Sequence, residues 1–158
     1  MVKKFISKSV TETMDFGKRL GRLLRIGDMV ALNGELGSGK TVLTKGIAAG
    51  LGVKRINSVN SPSFVILKEH KGRIPLYHFD IYRLKDISEF STVGWSEYFY
   101  EKGVSVIEWA NKIKEALPKD ILRIDMMING KDERRFCIRA YGSRYKKLLV
   151  RFYESIRR

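Results

Sequence analysis

Residues Gly34-Glu-Leu-Gly-Ser-Gly-Lys-Thr41 match the spacing G-x-x-x-x-G-K-[ST], and no other stretch constrains the fold as much. Such a loop needs an apolar strand before it and a helix after it. Asp28–Asn33 supplies a short apolar run, and Lys40–Leu51 places Leu43, Ile47 and Leu51 on one helical face with Gly52 as a stop. The glycines let successive backbone N–H groups turn inward around an anion, and the helix adds its positive dipole end. Lys40 then reaches the β- and γ-phosphates, and the Thr41 hydroxyl can ligate Mg²⁺. The expected nucleotide contacts are Glu35, Leu36, Gly37, Ser38, Gly39, Lys40 and Thr41. At average residue frequencies an accidental match falls in under ~1% of chains of this size. An ordinary glycine turn with a solvated lysine is therefore disfavoured. The motif argues for nucleotide binding more strongly than for hydrolysis.

Around this unit the pattern alternates strand and helix. Lys3–Ser7 reads as a strand. Ser9-Val-Thr-Glu12 has capping-box spacing and opens a helix with Val10, Met14, Leu20 and Leu24 at near-helical intervals. Phe64–Glu69 and Ile74–Asp80 read as strands joined across Lys71-Gly72. Asp86–Tyr100 is expected to be mostly helical. Val104–Glu108 is a buried-type strand, and Ala110–Leu117 a short helix stopped by Pro118. Ile121–Ile128 and Arg135–Ala140 are strands joined through Asn129-Gly130. Ser143 is expected to cap a last helix with Leu148, Leu149, Phe152 and Ile156 inward. Without repeats or linkers, this predicts a single-domain α/β P-loop NTPase sandwich, a mixed parallel and antiparallel sheet flanked by helices. Residues 1–142 form the P-loop domain, and 143–158 a basic C-terminal helix packed on it or extending from it.

A nucleotide site of this kind takes further carboxylates from neighbouring strand ends. Two strands end in an acid, Leu76-Tyr-His-Phe-Asp80 and Val104-Ser-Val-Ile-Glu108. One can hold Mg²⁺ and the other orient the attacking water; spacing does not assign the roles. The catalytic candidates are Lys40, Asp80 and Glu108, and the metal candidates Thr41, Glu108 and Asp80. Ser61-Pro-Ser63 lies where a loop can sense the γ-phosphate, although a simple strand-entry turn has the same composition. Arg83 can either stabilise phosphate charge or pair with an acid. His78, inside an apolar strand, reads as a packed, hydrogen-bonded core residue, and Trp109 as core beside the site.

The chain has 158 residues, 44% of them hydrophobic, enough for a core without disulfides. Its one cysteine, Cys137, excludes an internal disulfide or a cysteine-based zinc site. There is no signal-peptide pattern and no uncharged apolar run of membrane-spanning length, so a cytoplasmic protein without membrane association is expected. The formal net charge is +14, which favours polyanionic partners. Half of it comes from the last 28 residues, with ten Lys/Arg against three acids from Lys131 onward. Contact with nucleic acid through this basic surface and a merely solubilising or thermophile-type surface fit that count equally.

Taken together and in order, the octapeptide at 34–41, Ser61-Pro-Ser-Phe64, Tyr77-His-Phe-Asp-Ile-Tyr-Arg-Leu84 and Val106-Ile-Glu-Trp109 resemble the TsaE family. The resemblance implies a compact α/β ATPase binding ATP and Mg²⁺. It would act with TsaB and TsaD in attaching a threonylcarbamoyl group to adenosine 37 of tRNA. In that family the ATP cycle is thought to reset the TsaB–TsaD complex rather than perform the transfer. Carried over, Lys40 binds phosphate, Thr41 takes Mg²⁺, Asp80 and Glu108 are the acidic site residues with Glu108 magnesium-associated, and Ser61–Phe64 is switch-like. Three departures stand out: Ser63 replaces a threonine, Val42 replaces a second hydroxyl residue, and the basic C-terminal segment is no family hallmark. With no assured arginine finger, hydrolysis by the chain alone is expected to be slow and stimulated by partners. Two further classes fit parts of the pattern. A P-loop small-molecule kinase would need an acceptor pocket and a lid, and a nucleotide-dependent RNA-binding module would lean on the basic tail.

Overall fold

Strand-forming runs rich in Val, Ile, Leu and Phe become seven strands: β1 (Val2–Ser7), β2 (Met29–Asn33), β3 (Leu67–His70), β4 (Leu76–Asp80), β5 (Val104–Glu108), β6 (Ile121–Ile128) and β7 (Arg134–Tyr141). The helices are α1 (Val10–Leu23), α2 (Lys40–Gly50), α3 (Ile87–Ser91) and α4 (Ser143–Ile156), with 3-10 turns at Ile56–Ser58 and Ala110–Ala116. The computed structural model describes residues 1–61, 66–85, 87–91, 94, 98 and 102–157. All seven strands join one sheet in the order β1-β7-β6-β2-β5-β4-β3. The β6-β2, β2-β5 and β5-β4 pairs are parallel, while β1-β7, β7-β6 and β3-β4 are antiparallel. This is the mixed α/β sandwich expected from the sequence.

The sheet is covered on both faces. Val30 and Leu32 of β2 join a core with Leu20, Leu43, Ile47, Leu148 and Phe152 from α1, α2 and α4. Met29 and Ala31 point the other way, into a core with Phe79, Phe90, Ile107 and Ile113. All five residues of β2 are buried, as expected for a central parallel strand. Two glycine pairs set α1 against α2. A Cβ on Gly21 would meet Ile47 O at 2.3 Å and one on Gly50 would meet Lys18 O at 2.3 Å, while Gly17 and Gly46 approach in the same way. The two backbones touch, which side chains of any size would prevent. No helix among the described residues is long and apolar enough to cross a membrane.

Several local expectations need correction. In α1, Val10 is exposed and the buried face is Thr13, Phe16, Leu20 and Leu24 with the two glycines. Ser9 Oγ accepts from Glu12 N–H at 3.1 Å, but the Glu12 carboxylate takes the Lys8 N–H at 2.7 Å rather than that of Ser9. Ser143 is the first residue of α4; its cap is Gly142, which makes no side-chain bond. The 110–116 segment is 3-10, kinked at Ile113. Of the expected 86–100 helix, Ile87–Ser91 and Tyr98 are helical and Gly94 is not; the other residues lie outside the described residues.

α4 packs inward through Tyr145, Leu148, Leu149 and Phe152, all buried. Part of the C-terminal positive charge is engaged within the fold. Arg144 pairs with buried Asp28, Arg139 pairs with Asp125, and Arg134 donates to backbone carbonyls. Lys146, Lys147 and Arg151 remain exposed.

Candidate nucleotide and metal site

The glycine loop sits between the C-terminal end of β2 and the start of α2, at the centre of the sheet. Its shape depends on absent side chains. A Cβ on Gly34 would lie 2.6 Å from Met126 O, and Gly39, capping α2, has φ 95°. Lys40 is buried and turned back over the loop. Its Nζ donates to Gly34 O (2.6 Å), Glu35 O (3.0 Å) and Ser38 Oγ (3.3 Å), and lies 4.0 Å from the centre of the Trp109 ring. Burial pushes the Lys40 ammonium below the usual lysine range; Glu108, Asp80 and Glu35 pull it partly back. From 97 residues away in sequence, Arg134 donates to Gly37 O at 3.1 Å and braces the loop tip.

The register of the parallel strands aligns the acids. Asp80 pairs with Glu108 across β4 and β5, and Glu108 pairs with Leu32 across β5 and β2. Both carboxylates therefore stand at the same end of the sheet as the loop. Glu108 is 2% exposed and fully engaged. It accepts from Thr41 Oγ1 at 3.2 Å, Thr44 Oγ1 at 3.1 Å and His78 Nε2 at 2.8 Å. A carboxylate only accepts, so the His78 hydrogen sits on Nε2. Asp80 is half-buried and accepts from Ser61 Oγ and from Tyr82 N–H at 3.0 Å.

These groups line one cleft of about 310 Å³, with Leu36, Gly37, Gly39, Lys40 and Thr41 on one wall and Ser61, Asp80, Tyr82, Glu108 and Trp109 opposite. Glu35 and Ser38 are not among its lining residues. Ser38 is buried beneath the loop, and Glu35 is exposed, with its carbonyl held by Lys40. Arg83 is exposed and also absent from the lining among the described residues. Of the switch-like segment Ser61–Phe64, only Ser61 is described; Pro62, Ser63 and Phe64 lie outside the described residues. Trp109 is half-buried, packed against the second core and lining the cleft. It is the one non-glycine residue with positive φ (61°) among the described residues, a conformation that costs a bulky side chain about 1–3 kcal/mol. Its ring packs against Tyr82 at 4.7 Å.

The donor set suits a hard divalent cation beside a polyphosphate. Thr41 and Glu108 offer oxygen ligands 3.2 Å from each other, Asp80 lies next to them in the register, and no soft ligand lines the cleft among the described residues. Sequence reasoning missed Thr44, His78 as a partner of Glu108, and Arg134. Thr44 lies one helical turn after Lys40, on the same face, and was the one of these with a local signal. The other contacts exist only through sheet pairing.

Three comparisons bear on this geometry. The model of the family described as "Threonylcarbamoyl adenosine biosynthesis protein TsaE" matches residues 7–136. The chain is 46% identical over 138 residues to the tRNA threonylcarbamoyladenosine biosynthesis protein TsaE of Bacillus subtilis, covering 87% of this chain and 85% of that one. To the protein of the same name from Treponema pallidum it is 37% identical, covering 84% and 97%. The crystal structure of YdiB from Bacillus subtilis superposes with a TM-score of 0.82 at 35% identity, covering 98% of this chain and 96% of that one.

Proposed function

The chain belongs to the TsaE family, and from that premise we propose that it is a Mg²⁺-dependent ATPase of the pathway that makes threonylcarbamoyladenosine in tRNA. It acts there as a nucleotide-driven switch on a complex of TsaB and TsaD, in the cytoplasm. One observation carries the reading: the glycine loop at 34–41 shares a cleft with Glu108, which accepts hydrogen bonds from the Thr41 and Thr44 hydroxyls.

On this reading the loop N–H groups and Lys40 bind the phosphates. Lys40 exchanges its contacts with Gly34 O and Glu35 O for phosphate oxygens, so a buried ammonium gains an anionic partner. Thr41 and Glu108 would hold the Mg²⁺, with Asp80 as a further metal-associated acid or as the group that would orient the attacking water. The metal supplies charge neutralisation on the phosphate oxygens. His78 and Thr44 fix the Glu108 carboxylate from below, leaving its orientation to no chance rotamer. Asp80 holds Ser61, the first residue of the switch-like segment, so a change at the phosphates has a direct route to that segment. ATP and ADP forms then differ in affinity for the partner, which is the only way a nucleotide can shift such an equilibrium.

The test is Mg²⁺-dependent ATP hydrolysis by the chain alone and with purified TsaB and TsaD. We expect slow turnover alone, stimulation by the partners, and loss of turnover in Lys40→Ala and Glu108→Ala. Nucleotide binding without turnover under every condition refutes the switch mechanism. Phosphorylation of a small metabolite in place of simple phosphate release would mark a kinase instead.

A further inference from the structure

At the other end of α2 lies a second cleft, about 640 Å³. Its walls come from the chain leaving α2 (Val53, Lys54, Arg55, Ser58) and from the β3–β4 turn (His70, Lys71, Arg73). With 11 residues in α2, the two clefts stand roughly 15 Å apart along the helix.

The charge here is one-sided. Lys54, Arg55, Lys71 and Arg73 face a single acid, Glu69, around the cleft. A helix C-terminus attracts cations, but its carbonyls are already served. Val53 N–H donates to Ala48 O (3.0 Å), Gly52 N–H to Ala49 O (3.1 Å), Ile74 N–H to Leu51 O (3.4 Å) and Arg73 Nη2 to Gly50 O (3.4 Å). Lys54, Arg55 and Lys71 make no side-chain hydrogen bond or ion pair among the described residues. They are surplus to the helix end.

His70 sits among these cations and reports on the cleft. It is 6% exposed, lines the cleft, and its Nε2 is buried without a hydrogen-bond partner among the described residues. Besides the cleft cations and Glu69, the charged or titratable groups acting on it are Lys68 on its own strand and His78 on β4. Burial, His78 and Lys68 all favour its neutral form, and an anion in the cleft opposes them.

We propose that this cleft is a phosphate-binding site for an RNA backbone, with Lys54, Arg55 and Lys71 contacting successive phosphates beside the His70 ring. The choice of RNA over a free phosphate rests on the tRNA pathway proposed above; the cleft chemistry itself does not. The exposed cations of α4 are the competing surface, but they line no buried polar group.

The experiment measures tRNA binding by the full chain as a function of salt, comparing wild type with Lys54→Ala/Arg55→Ala/Lys71→Ala and with Lys146→Ala/Lys147→Ala/Arg151→Ala, which removes equal charge from α4. Removing three phosphate contacts lowers the slope of log affinity against log salt by about 2 to 3 and weakens binding at least ~10-fold near 0.1 M salt. The α4 variant is expected to do neither. A second arm follows the His70 ring by NMR, with His70→Gln to assign it against His78, while tRNA or inorganic phosphate is added. The His70 signal should move with tRNA at nucleotide concentrations where inorganic phosphate leaves it in place. No tRNA binding, an equal effect of the two triple variants, or a His70 signal that saturates with inorganic phosphate but ignores tRNA overturns the proposal. ATP binding is measured on the same proteins and stays at the wild-type value in the cleft variant. Failure of the nucleotide reading, seen with Lys40→Ala, is thereby distinguishable from failure of this one.

Discussion

Gly21→Ala tests whether backbone contact between α1 and α2 is what positions the glycine loop and its candidate nucleotide site. Two effects of opposite sign compete. In an exposed helix interior the substitution stabilises by about 1 kcal/mol. Here the new methyl would lie 2.3 Å from Ile47 O and 3.0 Å from Gly50 Cα, roughly 1 Å inside ordinary contact. Both obstacles are backbone, so no rotamer change relieves them and the helices must separate. Overpacking costs about 1–3 kcal/mol, occasionally more, and a gap of ~1 Å forfeits a quarter to a half of the dispersion energy between the facing groups, Phe16 and Leu20 against Leu43 and Ile47. The overlap wins, with net destabilisation of about 1–3 kcal/mol. For a chain of this length that is a fall in Tm of about 2–12 °C, read by circular dichroism. Lys18→Ala, on the exposed side of α1, serves as control and should stay within about 0.5 kcal/mol of wild type. Because α2 begins at Lys40, the same displacement should lower nucleotide affinity. A Gly21→Ala protein as stable as wild type, or more so, would refute the reasoning, since helix propensity would then have outweighed the contact.

Other substitutions probe the site and its supports. On the proposed reading, His78→Ala leaves Glu108 without its imidazole partner and lowers Mg²⁺-dependent ATP turnover by about 10- to 100-fold; unchanged metal dependence would show that Thr41 and Thr44 orient the carboxylate alone. Tyr145 accepts from Met29 N–H at 2.8 Å, so Tyr145→Phe orphans a buried donor and costs about 1–3 kcal/mol near pH 8. Burial raises the Tyr145 hydroxyl to about 12, with the Met29 bond opposing. A folded pKa above the unfolded value near ~10 gives stability that is present below pH ~10 and lost as pH rises toward 12. The gap between wild type and Tyr145→Phe should therefore narrow over that range in denaturant titrations. Asp28→Ala strips Arg144 of its carboxylate at the base of α4 and should cost about 2–4 kcal/mol, less than for a fully buried pair because Arg144 retains some access to water; a loss below 0.5 kcal/mol in urea unfolding would contradict that anchoring role.

The same Asp28–Arg144 pair bears on how the basic C-terminal segment can be tested. Truncation after Gly142 removes Tyr145, Leu148, Leu149 and Phe152 from the core, so loss of RNA binding in such a protein would report unfolding. Substitution of exposed cations is the cleaner perturbation.

Local chemistry determined a large part of this protein. The strand, glycine loop and helix at 29–50 are written in residue type and spacing, because a tight loop with positive-φ positions between an apolar strand and a helix start demands glycine at fixed intervals. Both acids of the site were also legible, since each ends an apolar strand. Tertiary structure decided the rest. Parallel pairing of β4, β5 and β2 set Asp80 beside Glu108 and gave Glu108 to Thr41, Thr44 and His78; no spacing along the chain encodes that register. Periodicity placed Leu20 and Leu24 inward correctly, but contact between two helix backbones set the rest of the buried face of α1, so Gly17 and Gly21 went inward and Val10 stayed out. Arg134, read only as positive charge, became a brace for the glycine loop. Such roles come from distant segments brought together by the sheet, and a side chain's charge or size predicts them only once its neighbours are known.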